Sequence, residues 1–312
     1  MEPRLVVHGG AWAIPDDEVE AHLDALRRAL EAGRDRLAAG GSALDSVVAV
    51  IESLEDHPAL DAGVGAVLNK AGAIELDAGI MDGATRDFGA VAGAQRIRHP
   101  IAAAFRLLRR GDRQCSLLVG PAADAWADAE GLALVAPSFF VVERELRRFE
   151  VLRERERRYH TSQVFRGVAG PQDTVGCVAI DRRGRIAAGT STGGAPYTTP
   201  GRVGDSPLPG CGFYAAPGAG ASATGWGEAI ARVLMCGFAV DAIERGATAQ
   251  EAADAAVAAR DGHGEDALDG ADAPVEGDHG HAESGLFLEF SAEAVKRGRG
   301  FEGDVVGNER CL

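Results

Sequence analysis

Apolar positions along the chain alternate between two spacings. Val19, Leu23, Leu26, Leu30 and Leu37 recur three or four apart, which predicts a helix from Asp16 to about Ala39, stopped by Gly40-Gly41. Ser42 then reads as an N-cap for a second apolar-faced helix, Ala43 to Ser53. Shorter β-branched or small runs predict strands at Arg4–His8, Phe88–Ala94 and Ser116–Gly120, and a hairpin from Gly65–Leu68 to Ala73–Asp77 around Asn69-Lys70-Ala71-Gly72. Pro100 opens a helix to Leu108, Ala122 to Glu130 forms another, and Glu143 to Arg158 is a mixed-charge helix whose charges read as a solvated face. The run Thr174–Ile180, the turn Asp181–Gly184 and the strand Arg185–Thr190 form the central hairpin. Helices over Glu228–Glu244 and Thr248–Ala259, the second with Thr248 and Glu251 as a capping box, precede a strand at Gly285–Phe290. There is no internal repeat and no phosphate loop.

Composition narrows the function classes. The 312 residues are 46% hydrophobic with a net charge of −15, which argues against nucleic acid or an anionic membrane surface as partner. No run reaches the length of a membrane span, and the start lacks a signal-peptide pattern. The five cysteines are scattered without ligand spacing, so free thiols and a cytoplasmic location are expected. The 42 glycines cluster within strand-like segments, pointing to turns and close backbone approaches.

Candidate chemistry gathers around the hairpin, where folding back brings Thr192 near Thr174. A threonine hydroxyl needs an adjacent base, and one solution is a threonine at a chain N-terminus whose own α-amine takes the proton. That would require cleavage of the Asp173–Thr174 bond, for which residues 159–172 read as an exposed linker; a β-branched residue opening a core strand is the simpler reading. Arg202 and Asp205 could hold the two ends of a zwitterionic amino acid or form a local surface ion pair. Thr224 and Gly225 could stabilise an oxyanion or cap the helix that follows. Asp77 and Asp82 are catalytic acids or turn residues, and His8 is a base or, preferably, a buried structural histidine. The irregular loop Leu54–Val64 could turn carbonyls toward a hard cation. His263, His279 and His281 fall in an acidic, glycine-rich stretch, Asp261–Ser284, that reads as a surface loop rather than a metal site.

Taken in order, these motifs resemble one family. Val6-Val7-His8-Gly9-Gly10, Asp61–Gly65, Glu75–Ala78, Met81-Asp82-Gly83, Gly89–Gly93, Asp173–Gly176, Thr190–Gly194, Gly201–Pro207 and Thr224-Gly225 are similar to the plant-type asparaginases, or isoaspartyl (β-aspartyl) peptidases, of the N-terminal-nucleophile hydrolases. The resemblance implies an α+β fold, a four-layer αββα sandwich of two packed antiparallel sheets flanked by helices. It implies one domain that self-cleaves into 1–173 and 174–312 and assembles as an (αβ)2 dimer of heterodimers. It further implies Thr174 as nucleophile, Thr192 as its hydrogen-bonding neighbour, and Thr224 with Gly225 as oxyanion hole. Arg202 would hold the substrate α-carboxylate, Asp205 and the Gly227 carbonyl its ammonium. No cofactor is required, and a structural sodium would be held by the carbonyls of Leu54, Glu55, His57, Leu60, Ala62 and Val64. The implied substrates are L-asparagine and β-aspartyl dipeptides. Alternatives are a glycosylasparaginase-like amidase and an unprocessed member acting as a binding protein. The sequence departs from the family at Asp61, where asparagine is usual and the residue faces the site, at Trp226 and Tyr197–Thr199, and after Ala259.

Overall fold

The computed structural model describes residues 1–11, 14–111, 113–156, 174–261 and 285–289. Six strands form one sheet in the order β1 (Arg4–His8), β5 (Val175–Ile180), β6 (Ile186–Thr192), β2 (Leu76–Asp82), β3 (Phe88–Ala94), β4 (Leu117–Val119). A second sheet contains β7 (Phe213–Ala216), β8 (Ala219–Thr224) and β9 (Gly285–Glu289). The helices are α1 (Val19–Ala38), α2 (Ala43–Glu55), α3 (Pro100–Arg110), α4 (Gly120–Ala129), α5 (Glu143–Glu156), α6 (Gly227–Val233), α7 (Met235–Glu244) and α8 (Ala249–Asp261). None among the described residues is long and apolar enough to cross a membrane.

Local chemistry explains the element ends. Ser42 Oγ accepts the Asp45 N–H while the Asp45 carboxylate accepts the Ser42 N–H, satisfying two otherwise orphaned donors at the start of α2. Pro100 starts α3, and Gly111 ends it in the left-handed region. Thr248 and Glu251 form the expected capping box of α8.

Every residue of β5 and β6 is buried, because apolar surfaces cover both faces of the sheet there. On one side lie Val47, Val50, Ile51 and Leu54 of α2, in one cluster with Val175, Cys177, Ala179 and Ala187. On the other, Val178, Ile180, Ile186, Ala188 and Met81 cluster with Phe213 and Ala215 of the second sheet. The alanines of β8 pack in turn against Ile230 of α6, Met235, Ala239, Val240 and Ile243 of α7, and Ala252 and Ala256 of α8.

The structure corrects several expectations. The large sheet is mixed, not antiparallel throughout: β4 runs parallel to β3, since α3 carries the chain over as a crossover between them. Gly65–Leu68 is not a strand, and Asn69 closes a turn by accepting the N–H groups of Ala71 and Ala73 through its side chain. Asp77 to Asp82 is mostly β2 itself, with only Asp82 in a turn role, accepting the Ala84 N–H. The helix foreseen over Glu228–Glu244 breaks at Leu234 (φ 50°, ψ 50°), so that α7 can redirect onto β8 and bring the Gly237 N–H to the Gly210 carbonyl at 2.9 Å. The linker 159–172, Asp173, the three histidines of the acidic stretch and residues 291–312 lie outside the described residues.

Contact between the sheets depends on residues without side chains. A Cβ on Gly79 of β2 would stand 2.1 Å from Cε1 of Phe213, a separation that forces the ring or the strand to move. Gly79→Ala is therefore expected to cost about 1–3 kcal/mol in denaturant unfolding. Gly218→Ala is the control, because a Cβ there meets nothing within 4 Å and should change stability by less than about 0.5 kcal/mol.

Candidate active site

Strand register brings the chemically capable side chains to one end of the large sheet. Pairing of Val175 with Ser191 carries Thr174 opposite Thr192, and Thr192 is itself paired with Asp77 on β2. Thr174, Thr192 and Asp77 thus form a row across three adjacent strands, all buried. On the other flank His8 pairs with Gly176, two residues beyond Thr174.

Thr174 Oγ1 is hydrogen-bonded to Ser206 Oγ at 3.3 Å. Thr192 Oγ1, foreseen as a hydrogen-bonding neighbour of Thr174, here accepts the Gly194 N–H at 3.0 Å. Ser206 is held in turn through its carbonyl, which accepts Thr190 Oγ1 at 2.7 Å. Sequence reasoning passed over Ser206 and Thr190, although both lie inside motifs it singled out; their membership of those motifs was the available signal, and both are buried, Ser206 in contact with Thr174 and Thr190 in contact with Ser206.

His8 is buried, hydrogen-bonded through Nε2 to Ser222 Oγ at 2.7 Å and also to the Thr174 backbone. Burial pushes its pKa down to about 3, outweighing the Thr174 contact, so the imidazole is neutral and suits the structural role. A Cβ on Gly176 would lie 2.1 Å from Ser222 Oγ and 2.2 Å from His8 Nε2, so glycine leaves the space this bridge occupies.

The loop after β6 holds Arg202 and Asp205, but not as an ion pair with each other. Arg202 Nε and Nη2 donate to the two oxygens of Glu228 at 2.9 and 2.8 Å. Asp205 is buried, and its Oδ2 has no hydrogen-bond partner among the described residues. Burial pushes the carboxyls of Asp205 and Asp77 up to about 7 each, against the lowering influence of Arg202 on both. Gly227 sits against this pair: a Cβ there would be 2.7 Å from Asp205 Oδ1 and 2.9 Å from Arg202 Nη2. Thr224 is buried at the end of β8, followed by Gly225 at φ +136°, a conformation that favours glycine. Trp226 is 37% exposed. Thr174 thus bonds to Ser206, whose chain neighbour Asp205 lies within the electrostatic reach of Arg202 and against Gly227.

Asp61 is buried beside the hairpin. Its Oδ1 accepts the Val67 N–H at 2.9 Å, and its carbonyl accepts the Gly193 N–H at 2.8 Å. In the loop Leu54–Val64, the carbonyls of Glu55, Leu54 and His57 accept the N–H groups of Val64, His57 and Leu60 at 2.7, 3.1 and 3.2 Å. Each such oxygen keeps a second lone pair, so these bonds are compatible with cation ligation. Glu55 adds a buried carboxyl, pushed well above the ordinary range by burial, which accepts Ser191 Oγ at 2.7 Å and the Ile101 N–H at 3.0 Å. At the end of α5, Glu156 accepts Lys70 Nζ at 2.6 Å and Tyr197 Oη at 2.7 Å, and Tyr197, at φ +59°, shares a small cluster with Leu152 and Phe149.

A family model described as Asparaginase matches residues 1–268. The chain is 38% identical to an isoaspartyl peptidase/L-asparaginase of Danio rerio, covering 83% of this chain and 81% of that protein. It is 40% identical to a plant-type L-asparaginase of Pyrobaculum calidifontis over 81% and 84%, and 40% identical to an isoaspartyl peptidase of Salmonella typhimurium over 74% and 75%.

The raised carboxyl of Asp205 gives a stability test with a definite sign. An acid whose folded pKa lies above its unfolded one contributes stability that is fully present at low pH and lost as pH rises through the folded value, here about 7. Asp205→Asn removes that loss. The variant should gain on the wild type by on the order of 2 kcal/mol between pH 5 and pH 8 in denaturant unfolding without ligand. A difference that does not vary with pH would contradict the raised value.

Proposed function

The chain belongs to the asparaginase family, and from that footing we propose that it is a threonine amidohydrolase releasing L-aspartate from L-asparagine and β-aspartyl dipeptides. The observation that carries this reading is the buried, unpartnered Oδ2 of Asp205, within the influence of Arg202 and next in the chain to Ser206, whose hydroxyl bonds the Thr174 hydroxyl. A desolvated carboxylate and a fixed guanidinium next to a hydroxyl suit an α-amino acid whose side-chain carbonyl faces that hydroxyl.

In this reading the bond before Thr174 is first hydrolysed, dividing the chain into 1–173 and 174–312. The freed α-amine of Thr174 takes the proton from its own Oγ1 as the hydroxyl attacks the substrate's side-chain carbonyl. Thr224 Oγ1 and the Gly225 N–H stabilise the resulting oxyanion. The C–N bond breaks, the amine leaves with the proton, and a β-aspartyl ester remains on Thr174. Water, deprotonated by the α-amine of Thr174, which is neutral again once the leaving group has gone, cleaves the ester and releases aspartate. Arg202 binds the α-carboxylate, Asp205 and the Gly227 carbonyl bind the ammonium, and Thr192 supports the nucleophile from the adjacent strand. Asp61 lines the site from the loop before β2. The layers of helix, sheet, sheet and helix form the αββα sandwich of such hydrolases, and the processed pieces assemble as (αβ)2.

Intact mass of the wild type and Thr174→Ala tests this. Two fragments from the wild type, the smaller beginning at Thr174, and one intact variant are expected, with native mass reading the (αβ)2 assembly. The variant should lose at least about a thousandfold in turnover of asparagine and β-Asp-Leu. A wild type that stays whole and turns over neither substrate would favour the binding-protein reading instead.

The carbonyls of Leu54, Glu55, His57, Leu60, Ala62 and Val64 are the proposed ligands of a structural sodium, which would brace the loop without entering the reaction. Exchanging sodium for choline at fixed ionic strength should lower Tm by several degrees, roughly 1 kcal/mol or more. An unchanged Tm would leave this loop without an ion.

A further inference from the structure

Glu228 belongs to no part of the chemistry described so far, yet it makes a two-bond ion pair with Arg202. Its two oxygens take Nε and Nη2 of Arg202 in a paired arrangement, at 2.9 and 2.8 Å. The Trp226 indole N–H donates to the same carboxylate. Burial disfavours the charge on Glu228, but Arg202 outweighs it with help from Trp226, and the group lies below its ordinary range. Glu228 is therefore ionised when the site is empty.

Such a carboxylate could do one of two things. It could compete, occupying Arg202 until a substrate carboxylate displaces it. Alternatively it could hold Arg202 in place for that carboxylate. A guanidinium has five N–H donors and more than one edge, which decides the matter. Glu228 takes the edge formed by Nε and Nη2, while Nη1 makes no hydrogen bond among the described residues. The plane is closed in by backbone: a Cβ on Gly204 would be 2.8 Å from Nη1, and one on Gly227 would be 2.9 Å from Nη2. A side chain at either glycine would meet the guanidinium, so both positions leave it the room it occupies.

We propose that Glu228, braced by Trp226, is a positioning residue that locks Arg202 so that its remaining edge receives the α-carboxylate of the aspartyl substrate. The proposal rests on the reading of Arg202 as the carboxylate clamp. It adds that binding, not chemistry, is what Glu228 controls. An arginine already held loses less side-chain freedom when substrate arrives, so affinity for every ligand carrying the α-carboxylate depends on Glu228.

The test is steady-state kinetics on β-Asp-Leu, with L-aspartate as competitive inhibitor, for the wild type, Glu228→Gln, Trp226→Phe and Arg202→Lys. In Glu228→Gln, KM and the Ki of L-aspartate should rise together by about five- to tenfold, with kcat changed by less than about twofold. Trp226→Phe, which leaves the ion pair but removes its brace, should show the same split at about two- to threefold, and it carries the test if Glu228→Gln does not fold. A merely structural role would lower kcat through the active fraction and leave KM and Ki unmoved, which would overturn the proposal. A fall in KM in Glu228→Gln would identify a competitor and overturn it equally. If Arg202→Lys raises KM while both other variants do not, Glu228 has no positioning role but the clamp reading stands. If Arg202→Lys leaves KM and Ki unchanged, the clamp reading fails and the proposal with it.

Discussion

The antiparallel register of β5 on β6 is the constraint to which the whole site is referenced. It sets Thr174 opposite Thr192 and, through the next ladder, aligns both with Asp77. A slip of one residue would turn Thr174 to the opposite face of the sheet and exchange the apolar sets packed on α2 and on Phe213. The two covering layers therefore enforce the register together: each face of β5 has its own cluster to satisfy. Burial on both faces is also why the hairpin is built from small and β-branched residues with no charge between Val175 and Ile180.

Electrostatics at the site follows from the same burial. Asp77, Asp205 and Glu228 surround one arginine, so the carboxyls cannot all be ionised at little cost. Solvent-starved Asp77 and Asp205 give way, moving toward neutrality, while Glu228 keeps its charge because it holds Arg202 directly. A ligand bringing both a carboxylate and an ammonium repairs this imbalance better than one bringing either alone. The proposed fit to a zwitterion thus follows from how these groups are shielded from water.

Much of this was legible in the sequence, for physical reasons that can be named. Strands β1 and β3 and helix α2 carried strong spacing and terminal signals, and the Gly201–Pro207 segment carries Arg202 and Asp205, which the fold sets near Asp77 and Glu228. The hairpin β7–β8 went unread because Ala219–Thr224 is mostly alanine and glycine and Phe213–Ala216 offers only four residues, so little marks a strand. Leu234 carries no glycine or proline signal; its backbone is set by the packing of α7, which no local pattern encodes. The partner of Arg202 was also hidden, since Glu228 is far along the chain and Asp205 offered a nearer carboxylate. Burial, which decides that Asp205 stays unpaired, appears only when both sheets are in place.

The anchoring of Glu156 by Lys70 and Tyr197 bears on what a cut before Thr174 would do to the molecule. Lys70 precedes β2 and Tyr197 follows β6, so the end of α5 is fastened to both sides of the eventual break. A cut before Thr174 would then leave Glu156 tied by side-chain hydrogen bonds to a residue on each of the two resulting pieces. Through Glu156, these two side-chain bonds would hold Lys70 of one piece to Tyr197 of the other once the covalent link had gone.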